Sequence, residues 1–152
     1  MAPTIHPILP KQATQLIREL DAYQASLYPA DSNHLDSIET LGRSNVCMIG
    51  GLEKGRVIAM GAVKILNGYG EIKRLYVDKA HRGKGFAKKI MAQLEKHLKG
   101  KKVFCAKLET GIHQPEAIGL YVKLGYDYCG PFGDYKQDPL SAFMTKELTP
   151  ES

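Results

Sequence analysis

The chain has 152 residues, 43% of them hydrophobic and 24% charged, with a formal net charge of +5. That length and balance fit a single globular domain spanning 1–152, large enough to fold without metal or disulfides, and argue against a disordered chain. No apolar run approaches the ~18 residues of a membrane span, and the N-terminal segment lacks the profile of a secretory signal, so a soluble, cytoplasmic protein with no membrane partner is expected.

Residues 2–8 read as a short first strand. Over 11–27, Ala13, Leu16, Ile17, Leu20 and Leu27 follow helical spacing. Tyr28-Pro29 ends that helix, because proline disfavours helical geometry in the residue before it. A second short helix is expected over 35–41. Three strands follow, over 46–52, 56–66 and 71–77, joined by the glycine-containing turns EKGR and NGYG. The next helix covers 85–98, with Phe86, Ala87, Ile90, Met91, Leu94 and Leu98 on its apolar face and Gly100 as its stop. Residues 103–108 form a strand, with Cys105 in its middle. Pro115 opens a helix that Gly125 closes, and 126–129 and 141–148 are the last strands. Meander and crossover are mixed in this order, which implies an α/β domain with a mixed sheet.

Three cysteines, Cys47, Cys105 and Cys129, form no CxxC pair. They read as buried small hydrophobes, and no metal site is expected. Residues 79–102 hold nine Lys or Arg against one acid, Glu95, so the rest of the chain is net acidic. A nucleic-acid binder would spread its basic residues over a broad face. Here the excess belongs to one helix and the loop before it, which suits a compact polyanion such as a phosphorylated cofactor, with no nucleic-acid partner.

The most informative stretch is GEIKRLYVDKAHRGKGFAKKIM, residues 70–91. It reads as a strand, a short basic loop and a glycine-rich helix start. Backbone N–H groups at a helix start point outward unsatisfied, and the helix dipole adds partial positive charge there. Gly83 and Gly85 let an anion approach the backbone, and Arg82 and Lys84 add full charges, which makes an anion cradle suited to phosphate. It is not a nucleotide-hydrolase loop, because Gly85 rather than Ser or Thr follows Lys84. Nor is it a Rossmann fingerprint, because Lys88 stands where the third glycine belongs.

Arg82-Gly83-Lys84-Gly85-Phe86-Ala87, after the EIKRLYV strand, resembles the acetyl-CoA signature Q/R-x-x-G-x-G/A of the GNAT superfamily of N-acetyltransferases, matched by Arg82, Gly85 and Ala87. Further on, AIGLYVKLGY (117–126) resembles a second element of that family. The resemblance implies a mixed, mostly antiparallel sheet of six or seven strands with about four helices, splayed between the fourth and fifth strands. It implies acetyl-CoA as co-substrate, bound by backbone groups of Leu75, Tyr76 and Val77, with pyrophosphate held by Arg82, Gly83, Lys84, Gly85, Phe86 and Ala87. A bulge near Leu75 would free an N–H for the thioester carbonyl. Gln114 stands where many relatives carry a cofactor-contacting Asn.

Two catalytic roles follow from the same resemblance. Tyr121 matches the tyrosine that acts on the departing thiolate, and Glu71 stands where some members place a base. By period-two alternation Glu71 shares a face with Lys73, Leu75 and Val77. The acceptor pocket of the family points to Tyr28, His34 and Tyr135, with Asp31, Glu109, His113 and Asp138 nearby. LYPADSNHL and CGPFGDYKQDPLS resemble a bacterial subgroup of small-molecule acetyltransferases, some labelled for indole-acetate. A small-molecule or amino-acid-like acceptor bearing an amine, and a homodimer as assembly, are what the resemblance implies; a carboxylate-bearing acceptor would instead call on Arg74, Lys73 or the histidines. The competing readings are a non-catalytic acyl-CoA-binding module and a nucleic-acid binder that uses 79–102.

Overall fold

The computed structural model describes residues 3–30 and 37–150. In chain order the elements are β1 (Thr4–Pro7), a 3-10 turn (Pro10–Ala13), α1 (Thr14–Leu27), α2 (Ile38–Leu41), β2 (Val46–Glu53), β3 (Arg56–Leu66) and β4 (Tyr69–Val77). A second 3-10 turn (Lys79–His81) leads to α3 (Phe86–Gly100), β5 (Cys105–Gly111), α4 (Pro115–Lys123), β6 (Asp127–Cys129) and β7 (Ser141–Glu147). Among the described residues the strands form one seven-stranded sheet in the order β1-β2-β3-β4-β5-β7-β6. Only β4 and β5 pair in parallel. This is the mixed, mostly antiparallel α/β architecture expected from the sequence.

Local chemistry explains most boundaries. Lys54 and Gly55 turn the chain between β2 and β3 with φ of 53° and 77°, the left-handed pair that matches the twist of the flanking strands. Ser37 caps α2, its Oγ accepting from the Thr40 N–H at 3.2 Å; the expected start of that helix at 35–36 lies outside the described residues. Helix α3 overruns its expected stop. Gly100 is still helical, and Lys102 takes the left-handed geometry instead, with φ 58°. The Val103 N–H donates to the Leu98 carbonyl and the Lys102 N–H to the Lys99 carbonyl, both at 2.9 Å, which closes the helix after Gly100 rather than after the expected Leu98. As a result β5 begins at Cys105, so that cysteine opens the strand rather than sitting within it. All three cysteines are free and half-buried rather than buried.

The sheet has two unlike faces. On one, Ile90, Leu94 and Leu98 of α3 pack over Ile58, Val63, Ile72, Leu108 and Met144. Each such side chain contributes about 1.5–3 kcal/mol relative to leaving it exposed. On the other, Leu16, Ile17 and Leu20 of α1 cover Met48, Met60, Ala62 and Tyr76. Helix α1 covers only the β1–β4 half of that face. Over the β5–β7 half the irregular segment 130–140 takes its place, with Phe132 and Tyr135 set edge-on to Phe143 at 5.8 and 5.5 Å.

Strands β4 and β5 part company soon after they meet. They pair only at Gly70↔Ala106, Glu71↔Lys107 and Ile72↔Leu108. Beyond that point β4 keeps β3 and β5 keeps β7, and a gap opens between them. Within β4 the register to β3 slips: Lys73 lies opposite Ala62 and Tyr76 opposite Met60, so Arg74 and Leu75 share the single partner position of Gly61. That is a β-bulge, and Arg74 sits in it with φ 59°.

Candidate active site

The gap between β4 and β5 continues into a cleft of about 510 Å³, a size that suits a cofactor or small ligand. Leu75, Tyr76 and Val77 of β4 form one wall, Gln114, Ala117 and Leu120 of α4 the other, and Arg82, Gly83, Gly85, Phe86 and Ala87 the end. At that end Gly85 precedes α3 with φ 86° and offers no side-chain cap, and no acid stands in the first turn. The first N–H groups of the helix therefore lack a side-chain acceptor and carry the positive end of its dipole. Gly83, at φ 79°, and Gly85 both face open space where a Cβ would stand. Such a cradle fits a pyrophosphate, and the apolar walls fit an extended chain leading away from it.

The basic residues divide. Arg82 Nε donates to the Val77 carbonyl at 3.0 Å, and its guanidinium lies over the Tyr76 ring at 5.3 Å. Lys84 is exposed and does not line the cleft. Seven lining residues were not among the expected site residues: Pro115, Glu116, Ala117 and Leu120 of α4, and Tyr23, His81 and Lys88. The His81 ring ties the loop down, with Nδ1 2.8 Å from Asp78 Oδ2 and Nε2 3.1 Å from Glu53 Oε2. The hydrogen bond from His81 holds the Asp78 carboxyl below its ordinary range. Lys88 belonged to the basic cluster and so had a signal; Tyr23, on the polar side of α1, had none.

The bulge corrects the expected alternation along β4. Glu71 and Lys73 do not share a face with Leu75 and Val77, because the extra residue inverts the side-chain phase. Arg74 and Tyr76 point to the α1 side, where the Arg74 guanidinium meets Asp21 at 2.5 Å, while Leu75 and Val77 pack against the α3 core. Glu71 is only 5% exposed. Its Oε2 accepts from the Tyr135 hydroxyl at 2.5 Å and from Lys73 Nζ at 3.1 Å. The fold thus joins two residues singled out separately, Glu71 and Tyr135, on the face opposite the α3 core. Neither lines the cleft itself.

Tyr121, 7% exposed, lies in the α3-side core with its ring edge-on to Tyr126 at 5.9 Å. It stands one turn beyond the cleft-lining Ala117 but does not line the cleft. Burial, with the Glu109 carboxylate adding to it, pushes its phenol well above the ordinary range. It is therefore a protonated donor at neutral pH, and its hydroxyl makes no hydrogen bond to another described residue.

Tyr28 is a brace. It is buried, its oxygen accepts the His113 N–H at 3.0 Å, and its hydroxyl reaches Gln114 Oε1 at 3.4 Å. Its ring stacks on His113 at 5.5 Å. Gly111 passes so close that a Cβ there would lie 1.8 Å from Tyr28 Oη. The hydroxyl expected to meet an acceptor is thus engaged in joining α1 to the start of α4. Gln24 joins the same Gln114 Oε1 at 3.4 Å. Glu109 accepts from Ser141 Oγ at 2.7 Å, and Asp138 Oδ1 from the Leu140 N–H at 2.9 Å. Asp31 and His34 lie outside the described residues. Among the described residues no cluster of three metal-ligating side chains occurs, and no helix is long and apolar enough to cross a membrane.

A sequence profile of the Acetyltransferase (GNAT) family matches residues 13–126. An IAA acetyltransferase of Azospirillum brasilense is 40% identical over 136 residues, covering 88% of this chain and 89% of that protein. A solved structure from Klebsiella pneumoniae subsp. pneumoniae MGH 78578, provisionally named an acyl-CoA N-acyltransferase, aligns with a TM-score of 0.83 at 36% identity, covering 97% of this chain and 98% of that one. The PaiA N-acetyltransferase of Thermoplasma acidophilum, solved with coenzyme A, shares the fold with a TM-score of 0.74 at 18% identity, over 97% of this chain and 100% of that one. The parted strands, the uncapped glycine-flanked helix and these matches lead to one conclusion: the chain is an acetyltransferase enzyme and belongs to the GNAT family.

Proposed function

We propose that the protein, as a single cytoplasmic domain, transfers an acetyl group from acetyl-CoA directly to an amine of a small molecule, in a ternary complex without an acyl-enzyme. The observation that carries this reading is the cleft between β4 and α4, beyond the point where β4 and β5 part, with a bulged strand along one wall and an uncapped helix start at its end. The α3 cradle, with Arg82, Gly83, the Lys84 backbone, Gly85, Phe86 and Ala87, would hold the pyrophosphate. Leu75, Tyr76, Val77 and Gln114 would hold the pantetheine arm.

Attack by a neutral amine builds negative charge on the thioester oxygen. A fixed backbone donor at the Leu75 bulge would lower that barrier by roughly 3 kcal/mol. The acceptor ammonium must first lose a proton. Glu71 is the carboxylate assigned to that task, and its burial behind Tyr135 and Lys73 makes a water relay the natural route. Tyr121 would donate a hydrogen bond or proton to the departing thiolate, its raised phenol keeping the hydroxyl protonated at neutral pH. Tyr135 is assigned to the acceptor side through Glu71, and Tyr28 by bracing Gln114 and His113; His34, read from the sequence for the same role, lies outside the described residues. Direct transfer is favoured because Cys47 and Cys129 have thiols pushed up by burial, and no cysteine lines the cleft. A two-fold homodimer is the assembly we assign to it.

The test is a thermal-shift titration with acetyl-CoA, CoA and ATP, followed by a thiol-release screen over amines, amino acids and indole-acetate. A ligand bound only to the folded state stabilises it by about 2.7 kcal/mol at a hundredfold excess over Kd. Stabilisation by both CoA species but not by ATP is expected. The absence of any CoA-dependent shift would overturn the reading, and binding without turnover on any acceptor would favour a non-catalytic acyl-CoA module.

A further inference from the structure

Asp21, Gln24 and Tyr28 recur at i, i+3 and i+7 along α1 and its C-cap, a spacing that places them along one side of the helix. Gln24 and Tyr28 reach Gln114 on the α4 wall of the cleft. Asp21 reaches the opposite wall, at Arg74.

Arg74 stands in the bulge with φ 59°, a geometry that residues other than Gly, Asn and Asp rarely adopt. Its side chain is only 4% exposed and meets the 44%-exposed Asp21 carboxylate at 2.5 Å. The side on which this guanidinium leaves the strand decides which residue is bulged. If Arg74 returned to extended geometry, the alternation would restore itself and drive one of these side chains through to the other face. Arg74 would then point toward Ile90 and Leu94, which crowd the α3 side of Gly61. On the α1 face its guanidinium instead meets Asp21.

We infer that Asp21 is a positioning residue for acetyl transfer: it holds Arg74, Arg74 holds the bulge, and the bulge aims the Leu75 N–H at the thioester carbonyl. This rests on the acetyl-CoA reading above. Asp21 itself touches none of the reacting atoms.

The experiment is isotope-edited infrared spectroscopy of [1-13C]acetyl-CoA bound to wild type, Asp21→Asn and Asp21→Glu, with affinities for acetyl-CoA and CoA measured alongside. Wild type is expected to lower the carbonyl stretch relative to free acetyl-CoA. Asp21→Asn loses most of that lowering and binds acetyl-CoA roughly fivefold more weakly, the size of one hydrogen bond, while its affinity for CoA is unchanged. Asp21→Glu restores the lowering. Should Asp21→Asn fail to fold, Arg74→Gly and Arg74→Met carry the test. Glycine adopts the positive φ without an anchor and retains the lowering, whereas methionine loses it. Full lowering in Asp21→Asn, or equal lowering in the two Arg74 variants, overturns the inference alone. A wild type that binds neither CoA nor acetyl-CoA overturns the acetyl-CoA reading and this inference with it.

Discussion

The α3 end of the cleft and the Glu71 side of the sheet present different kinds of atom. At α3 the groups are backbone N–H donors of consecutive residues, aimed by the left-handed geometry of Gly83 and Gly85. On the Glu71 side they are a carboxylate, an ammonium and a phenol, and Tyr135 is 64 residues from Glu71 in the chain. The first arrangement tolerates side-chain change wherever the backbone geometry survives. The second depends on each side chain, because a buried carboxylate that loses one of its donors stays buried. The α3 end of the cleft is thus a property of a segment, and the Glu71 cluster a property of the fold.

Five measurements break or sharpen that contrast. The largest effect belongs to Glu71→Gln, which should cut the rate of transfer to an acceptor found by the screen by about a hundredfold or more. Its Kd for CoA, measured by calorimetry, should stay at the wild-type value. Equal losses in rate and binding would show that the α3 cradle and the Glu71 cluster are not separable. Gly85→Ala should do the reverse. Holding φ 86° costs a residue with a Cβ roughly 1–2 kcal/mol, so the Kd for acetyl-CoA should rise about tenfold while kcat at saturation holds. Lys84→Ala, which removes an exposed side chain outside the cleft, should leave that Kd nearly unmoved.

Alkaline unfolding tests the buried phenols. Burial raises both Tyr121 and Tyr126, and for Tyr126 the Glu95 carboxylate that accepts its hydroxyl at 2.9 Å adds to the effect. The folded state therefore keeps these protons where the unfolded chain releases them, from the ordinary tyrosine value of 10.0 upward. The stability they contribute is intact below that pH and is lost above it, by roughly 1 kcal/mol per pH unit for each tyrosine. Urea midpoints followed from about pH 9 to about pH 11 should show that slope, and Tyr126→Phe should make it shallower. The smallest effect on stability is a gain. Lys102→Gly relieves left-handed strain at the end of α3 and should stabilise the fold by roughly 1 kcal/mol in urea melts. Gly85 and Lys102 flank the same helix in the same backbone region, so opposite signs in the two variants would tie the need for glycine to the ligand at one end only.

Much of this was legible because it is local. The β2–β3 and β3–β4 turns, Pro115 at the start of α4 and the glycine-flanked start of α3 all stand where their residue types require. The bulge in β4 was expected from resemblance, but its effect on the faces was not, because Arg74 carries no mark of a left-handed residue and period-two counting runs straight through it. Gly100 misled for a related reason: the closing bonds from Lys102 and Val103 selected the register, and glycine was dispensable there. Tyr28 was legible as important but not as a brace, since its partners His113 and Gln114 lie beyond the crossover. The meeting of Glu71 with Tyr135 depends on how segment 130–140 folds over the β5–β7 half of the sheet, which no spacing in the chain reports.

The brevity of the β4–β5 ladder also bears on how the chain folds. Two-residue turns join β2 to β3 and β3 to β4, so their pairings close short loops. Strand β5 meets β4 only after the whole α3 crossover, and then over three residues. Short loops close at lower entropic cost and close first. Refolding should therefore commit in the β2–β4 meander, with β5, β7 and β6 docking afterwards. Destabilising substitutions in the meander should slow folding, and those in the last three strands should mainly hasten unfolding. The cleft lies on the seam between the part that forms early and the part that arrives late.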